Sequence, residues 1–574
     1  MRRLLALLLV LALIGIAVAL TGLWLAGRHG DRPILAGPRV LELVLDSRLE
    51  DHRAESPFLL PGEVAPPTVS AIWRGLDAAR RDPAVRGVVL RIVDADFGLA
   101  KAAELRRQIE LTAASGRFVA CYLETAGEGT NGTLEYYVAS ACPALSLAPA
   151  GEINLLGLWS DAYFLRGSLD KLGVEPSFLT AGRFKSAGET FTERAHSPAA
   201  REALDRVLDA YFEQIVDGIA SSRGLDPGDV RELVDEAPLS AELALERGLV
   251  DALEFPDEFD GRLETLAGGE PELVPLVAYA HRHERWRAGK GSVAVVFARG
   301  VIVRGGGGTE PWSGETFLGA ERLGRLLADL AEDDAVAAVV LRVDSPGGSA
   351  LASDLILRRV ELLDAAKPVI VSMSDVAASG GYYIAARARR IVAEPGTLTG
   401  SIGVITGKLA SGRFQEEKLG ITHDVLARGR HAGLYSSLRP FDEQERALIA
   451  RRVDEIYLRF LGHVAAGRRL ELDAVREVAE GRVWTGQDAL AVGLVDELGG
   501  LDAALDAARD AAGLDADAAV VFYPRPRGLW DWLAGLRDAP LSAELARVLR
   551  ALAATREPFA LELPRSLAGL AQPF

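Results

Sequence analysis

Two cysteines in 574 residues, Cys121 and Cys142, are too few for a disulfide scaffold or for a Cys-rich zinc or iron–sulfur site. Nothing in the sequence fixes their geometry, so a bond between them is left open. HExxH and every other clustered set of metal ligands are missing, and no metal is expected. Basic residues form no long run and the formal charge is −17, which argues against nucleic acid as a partner. Lysine is scarce: Lys101, Lys171, Lys185, Lys290, Lys367, Lys408 and Lys418 are seven among 64 basic residues. Arginine serves wherever charge alone is wanted. A lysine in an unusual setting therefore draws notice, because Lys can shed its proton in a desolvated site and Arg effectively cannot.

What is present is ample apolar material, 49% of the chain, in a length too great for one small binding module. Met1-Arg2-Arg3 precedes an uncharged stretch from Leu4 to Ala26. As a helix it would be about 35 Å long, enough to cross a bilayer and longer than the apolar region of an ordinary signal peptide. Arg2 and Arg3 favour a cytoplasmic start, although Arg28 and Arg32 weaken the asymmetry. The expectation is a single-pass anchor over residues 1–30 with the remainder outside the cytoplasmic membrane. Ala17-Val18-Ala19 keeps cleavage open as an alternative, and no Cys follows that would support lipid anchoring.

The chain resembles itself at an offset near 246 residues. Val85 to Asp94 answers to Val336 to Asp344, Phe118 to Leu123 to Pro368 to Met373, Tyr136-Tyr137 to Tyr382-Tyr383, and Ala241 to Asp251 to Gly486 to Asp496. In each copy, β-branched runs such as Gly87–Val93 and Ala338–Val343 alternate with amphipathic segments such as Ala350–Ala365. That pattern predicts an α/β fold with a largely parallel sheet covered by helices. The first copy is expected over 38–265, a connector over 266–291, the second copy over 292–512, and a C-terminal extension over 513–574. An amphipathic stretch from Leu541 to Leu552 in that extension suits a neighbour, a membrane surface or plain solvent.

The copies differ where chemistry would need them to. Ser345-Pro346-Gly347-Gly348-Ser349 follows a strand in the second copy, and its Gly pair lets main-chain N–H groups approach a ligand; the first copy has no such pair. Ala378-Ser379-Gly380-Gly381 then opens a helix, where Ser379 is either a cap or a nucleophile. Position 377 is Ala, so G-x-S-x-G is not met. A nucleophilic serine needs a base. Gly182-Arg183-Phe184-Lys185-Ser186 in the first copy offers Lys185, whereas the second copy has Gly429-Arg430-His431-Ala432 there. Each copy thus holds half of a Ser–Lys pair. To act as a base, Lys185 must fall from about 10.4 to about 7–8, roughly 4 kcal/mol, which burial between the copies could supply. His423 and His431 lie nearest the serine segment in sequence as other bases. Ser168-Leu169-Asp170-Lys171 spells S-x-x-K without K-T-G or S-D-N, and Gly305 to Gly308 lacks the Lys-Ser/Thr of a P-loop.

With Leu398-Thr399-Gly400-Ser401-Ile402-Gly403 added, the chain resembles the signal peptide peptidase A family of the long, tandem-repeat bacterial type: membrane-anchored serine proteases of the Clp protease–crotonase superfamily. The resemblance covers anchor and both copies. It implies Ser379 as nucleophile, Lys185 as general base, Ser401 orienting the lysine, and oxyanion N–H groups from Gly380 and one of Gly347 or Gly348. It also implies a homotetramer on the outer face of the bacterial inner membrane that takes hydrophobic peptides such as signal-peptide remnants, with no cofactor. Extended peptides could add as a strand beside Gly305 to Gly308. Gly188-Glu189-Thr190 departs from the family's acid-Pro step after the lysine. Two rival functions stand beside this one: a crotonase-like acyl-CoA enzyme and a non-catalytic membrane scaffold.

Overall fold

The computed structural model describes residues 38–53, 66–282, 291–310 and 315–524. The stretch expected to anchor the chain lies outside them. Among the described residues no helix is long and apolar enough to cross a membrane.

The chain folds as α/β, twice over. Six parallel strands form the first sheet in the order Ala252–Leu253, Ala144–Leu147, Phe118–Leu123, Val85–Ile92, Arg39–Leu45, Glu272–Pro275. The second sheet repeats that order, with Glu497–Leu498, Arg390–Ala393, Val369–Ala378, Val336–Ser345, Ser292–Arg299 and Val520–Tyr523. Leu398–Gly400 and the antiparallel Val483–Thr485 continue it beside the far half of Val369–Ala378. The central strands are buried along nearly their whole length, as strands covered on both faces must be.

Glu272–Pro275 lies in the stretch read as a connector and Val520–Tyr523 in the stretch read as an extension, yet each closes the edge of its sheet. Four residues at an edge carry too little periodicity to be read in advance, and a Pro there is tolerated because the outer side needs no donor. Cys121, on the strand Phe118–Leu123, is joined to Cys142, just past the helix Thr133–Ala139. Both are buried in the first core.

Helices form where the apolar spacing allows a buried stripe and a cap starts them. Thr68 caps Val69–Arg81 through Ala71 N, and Ser349 caps Ala350–Ala366 through Ala352 N. In Ala320–Glu332 the buried Leu323, Leu327 and Leu330 fall on one face.

The two halves meet through charge as well as through strands. Arg342 of the second half is fully buried and donates to Asp51 at 2.9 Å and to Glu104 at 2.6 Å, both in the first half. Lys101 donates to Asp344 at 2.9 Å and sits 3.0 Å from Asp375. The Asp375 carboxylate accepts from Gly98 N and Lys101 N, so a residue of one half caps the helix Leu99–Ala114 of the other. A buried pair of this kind is a modest net stabiliser when whole and a costly defect when broken. It fixes one half against the other. The second tie is a two-stranded antiparallel ladder, Val404–Ala410 of the second half against Glu175–Ala181 of the first.

Candidate active site

That ladder delivers the site. Glu175–Ala181 runs into a turn at Gly182, whose φ of 102° needs glycine, and the chain then presents Lys185. The turn is held from the other half, since Phe184 N donates to Glu480 O at 2.7 Å and Arg183 N to the Glu480 carboxylate at 3.1 Å. Two glycines flank the lysine stem. A Cβ on Gly481 would come within 2.7 Å of Lys185 Cβ, and one on Gly403 within 3.2 Å of Lys185 Cδ.

Ser379 ends the strand Val369–Ala378 and precedes the short helix Gly380–Ala385. Its backbone sits at φ 53°, ψ −114°, a conformation a serine holds only when its surroundings impose it. Ser379 N donates to Gly400 O at 2.9 Å, which is part of that restraint. The hydroxyl makes no capping bond to its own helix. Lys185 Nζ instead donates to Ser379 Oγ at 3.0 Å, and also to Ser401 Oγ and Ser401 O, both at 2.9 Å. Ser401 too is held at positive φ, 49°, with its N–H on Arg482 O.

Three acceptors surround the amine and burial, with no carboxylate offsetting it, lowers its pKa to about 8. In the neutral form two N–H groups keep the Ser401 oxygens and the lone pair is free to accept from Ser379 O–H. The arrangement can therefore move a proton from oxygen to nitrogen near neutral pH.

The glycine pair lies across from Ser379. A Cβ on Gly347 would come within 2.5 Å of Gly380 N and 2.9 Å of Ser379 Cβ. The Gly347 N–H donates to Ser345 Oγ at 3.2 Å. The N–H groups of Gly348 and Gly380 have no hydrogen-bond partner among the described residues, and both glycines line the same cavity as Ser379. That cavity, of about 380 Å³, is also lined by Tyr383, Val404, Ile405, Ile449, Val453 and Phe460. Gly305 to Gly308 turn into the strand Gly307–Thr309 of a small sheet whose member Val301–Val303 bridges to Gly348 at Ile302.

The residues singled out from sequence, Ser379, Lys185, Ser401, Gly347, Gly348 and Gly380, thus converge on one place. Others do not. Ser168 and Lys171 lie on the helix Arg166–Leu172, and the exposed His423 pairs with Gln415. The exposed His431 does not border the cavity. Among the described residues no group of three or more His, Cys, Asp or Glu could hold a metal. Glu480, Gly481 and the Asp375 cap were not visible in sequence. Glu480 carries a positive φ of 50°, which no motif announces.

A model of peptidase family S49 matches residues 124–269 and 361–515. The chain is 35% identical over 487 residues to a protein named Serine protease SPPA, chloroplastic, of Arabidopsis thaliana, covering 83% of this chain and 70% of that one. It is 31% identical over 517 residues to Protease 4 of Haemophilus influenzae, covering 85% and 81%. Protease 4 of Salmonella typhi is 33% identical over 392 residues, 66% of this chain and 62% of that one.

Proposed function

As a member of peptidase family S49 this chain is a serine peptidase, and from that premise we propose that it works through Ser379 and Lys185, one from each half. The observation that carries the reading is the 3.0 Å approach of a desolvated amine to the hydroxyl of a conformationally strained serine. Neutral Lys185 Nζ takes the Ser379 Oγ proton as Oγ bonds to the scissile carbonyl carbon. The carbonyl π pair moves to oxygen, and the Gly348 and Gly380 N–H groups hold the resulting oxyanion. Collapse breaks the C–N bond, and the leaving amine takes the proton from the lysine ammonium. Water, deprotonated by Lys185, then attacks the acyl ester and restores Ser379. Ser401 keeps Nζ aimed throughout.

The wall of the cavity formed by Val404, Ile405, Ile449, Val453, Ile456 and Phe460 is apolar, with Thr406 and Arg452 beside it, and that wall supports hydrophobic peptides, such as cleaved signal peptides, as substrates. The uncharged run Leu4 to Ala26 supports a single-pass anchor that keeps the enzyme on the outer side of the bacterial inner membrane, where such remnants arise. The Clp protease–crotonase kinship and the homotetramer belong to the same proposal. Neither the acyl-CoA nor the scaffold reading has an observation in its favour once the chain is placed among serine peptidases.

The test is hydrolysis of a fluorogenic hydrophobic peptide by the full chain in detergent micelles. Ser379→Ala and Lys185→Ala should each lose activity by at least about 10³-fold. Undiminished hydrolysis by both would rule the pair out.

A further inference from the structure

A second buried lysine lies outside the proposed reaction. Lys101 is 6% exposed, sits in the first turn of Leu99–Ala114, and does not border the cavity beside Ser379. Lys185 is desolvated with no carboxylate to offset it; Lys101 has three. Its Nζ donates to Asp344 at 2.9 Å and lies 3.0 Å from Asp375 and 3.6 Å from Asp51. Burial works against its charge, but Asp51, Asp375 and Asp344 outweigh burial and raise its pKa. It is a fixed cation where Lys185 is a base.

Two of these carboxylates stand where the second sheet breaks its own pattern. Val336–Ser345 and Val369–Ala378 pair in register as far as Val343 and Met373, and pair again at Ser345 and Ala377. Between those marks the first strand has one residue, Asp344, and the second has three, Ser374 to Val376. The strand that carries Ser379 is therefore longer than its partner by two residues at this point. It also changes its other neighbour here, since Ile370–Met373 pair with Arg390–Ala393 and Val376–Ala378 with Leu398–Gly400. Neither Ser374 nor Asp375 has a partner in the register on either side. A bulge re-aims the residues that follow it. Ser379 comes four residues after Asp375, and the turn Ser345 to Gly348 starts directly after Asp344.

What holds the bulge comes largely from the first half. The Asp375 carboxylate accepts from Gly98 N at 3.3 Å and from Lys101 N at 3.0 Å, besides facing Lys101 Nζ. Asp344 spans the gap, taking Lys101 Nζ on one oxygen and Val376 N, at 3.3 Å, on the other. Ser374 Oγ accepts from Arg342 at 3.2 Å, and Arg342 is held in turn by Asp51 and Glu104. One amine thus ties together the two strand ends that lead into the glycine turn and the serine.

We infer that Lys101, with the N–H groups of Gly98 and Lys101, positions Ser379 against the Gly348 and Gly380 N–H groups, so that the first half shapes the nucleophile's seat as well as supplying its base. The inference rests on the Ser379–Lys185 reading. Lys101 is a positioning residue and touches no substrate. Without its amine Asp344 and Asp375 repel each other, and the bulge settles elsewhere. A displacement of about 1 Å at the reacting atoms can cost about 10²-fold in rate. The base keeps its place, because Lys185 is presented by the separate turn at Gly182.

The test measures peptide hydrolysis and urea unfolding on full-length variants in detergent micelles, with the fluorogenic hydrophobic peptide as substrate. Lys101→Met should lower kcat about 10- to 100-fold and leave KM near the parent value. The rising limb of its pH profile should stay at about 8, since Lys185 keeps its setting. Lys101→Met also leaves the carboxylates without their cation and weakens the fold, so two further variants decide the matter even where it does not fold. Gly98→Ala changes no charge. Gly98 lies at φ −79°, ψ 170°, which alanine adopts freely, but the added Cβ would come within 2.4 Å of the Asp375 carboxylate and must displace it. A loss of about tenfold in kcat at unchanged KM is expected. Lys101→Met combined with Asp344→Asn removes one charge of each sign; its unfolding midpoint should return toward the parent while kcat stays low. Recovery of kcat together with the midpoint would reduce Lys101 to a stabiliser of the seam and overturn the inference. So would parental kcat in Gly98→Ala, or a displaced pH limb in Lys101→Met. Ser379→Ala, run alongside, keeps the two failures apart: if it is inactive, a parental kcat in Gly98→Ala removes the positioning role alone, and if it is active the catalytic reading itself falls.

Discussion

Lys185 Nζ stands 3.0 Å from Ser379 Oγ across a separation of 194 residues, with one residue in each half of the chain. No carboxylate balances the amine. Burial lowers its pKa to about 8, so at pH 7 roughly a tenth of the molecules carry the neutral base. The base form lies above that pKa. kcat/KM for a hydrophobic peptide is expected to rise with pH through about 8 and level off beyond it. Lys185→Arg keeps a cation that cannot deprotonate and should be inactive from pH 6 to 10. A profile that is flat or falls across that range would remove Lys185 as the base.

In the proposed mechanism Ser401 positions the lysine, and its removal should separate two effects. Its hydroxyl and carbonyl are two of the three acceptors around the ammonium. Ser401→Ala deletes one, which withdraws support from the charged form, so the lysine pKa falls further. The rising limb of the pH profile should therefore move to lower pH while the plateau kcat drops about tenfold or more, because the amine is no longer aimed. KM should hardly change. A lower plateau with an unmoved limb would point to damage of another kind.

Gly347 matters for what it lacks. Its own N–H is committed to Ser345 Oγ, but a methyl at its Cα would lie 2.5 Å from Gly380 N, one of the two N–H groups proposed to hold the oxyanion. At φ 102° that substitution is also strained. Gly347→Ala is expected to cut kcat by about 10²–10³-fold with KM near its original value. Equal kcat in variant and parent would mean that the Gly380 N–H takes no part in holding the oxyanion.

The site was largely legible because its parts are marked by departures between copies that should otherwise agree. Lys185 has no lysine opposite it, and Gly347-Gly348 has no counterpart, so comparison of the chain with itself located both. The α/β class followed from apolar runs alternating with amphipathic ones. What stayed hidden depends on distance in space. Gly481 looks like an ordinary loop glycine, and Gly403 like the end of a motif, until the Lys185 stem is seen between them. Asp375 reads as a strand-end carboxylate, yet it caps a helix of the other half. The edge strands Glu272–Pro275 and Val520–Tyr523 are too short for a pattern to show. That the Gly347 N–H is held by Ser345 Oγ, while the Gly348 N–H has no partner among the described residues, only coordinates reveal.

Glu394 offers a test of how the halves are held together that leaves the catalytic groups untouched. It is buried at the seam, 3.5 Å from Arg107 of the first half, and is not in contact with the dyad. Burial, and to a lesser degree Glu104 and Asp502, push its pKa up to about 8 against the partial relief given by Arg107. A carboxyl whose folded pKa exceeds its unfolded value binds more protons when folded. Its contribution is thus complete below about pH 4.5 and is lost as pH rises to about 8. Glu394→Gln keeps the shape without the charge. The variant should match the parent in unfolding midpoint near pH 4.5 and exceed it increasingly up to pH 8, while kcat/KM stays as it was. The comparison is made by urea unfolding at several pH values, and a constant difference between the two proteins across the range would show that Glu394 titrates alike in the folded and unfolded chain.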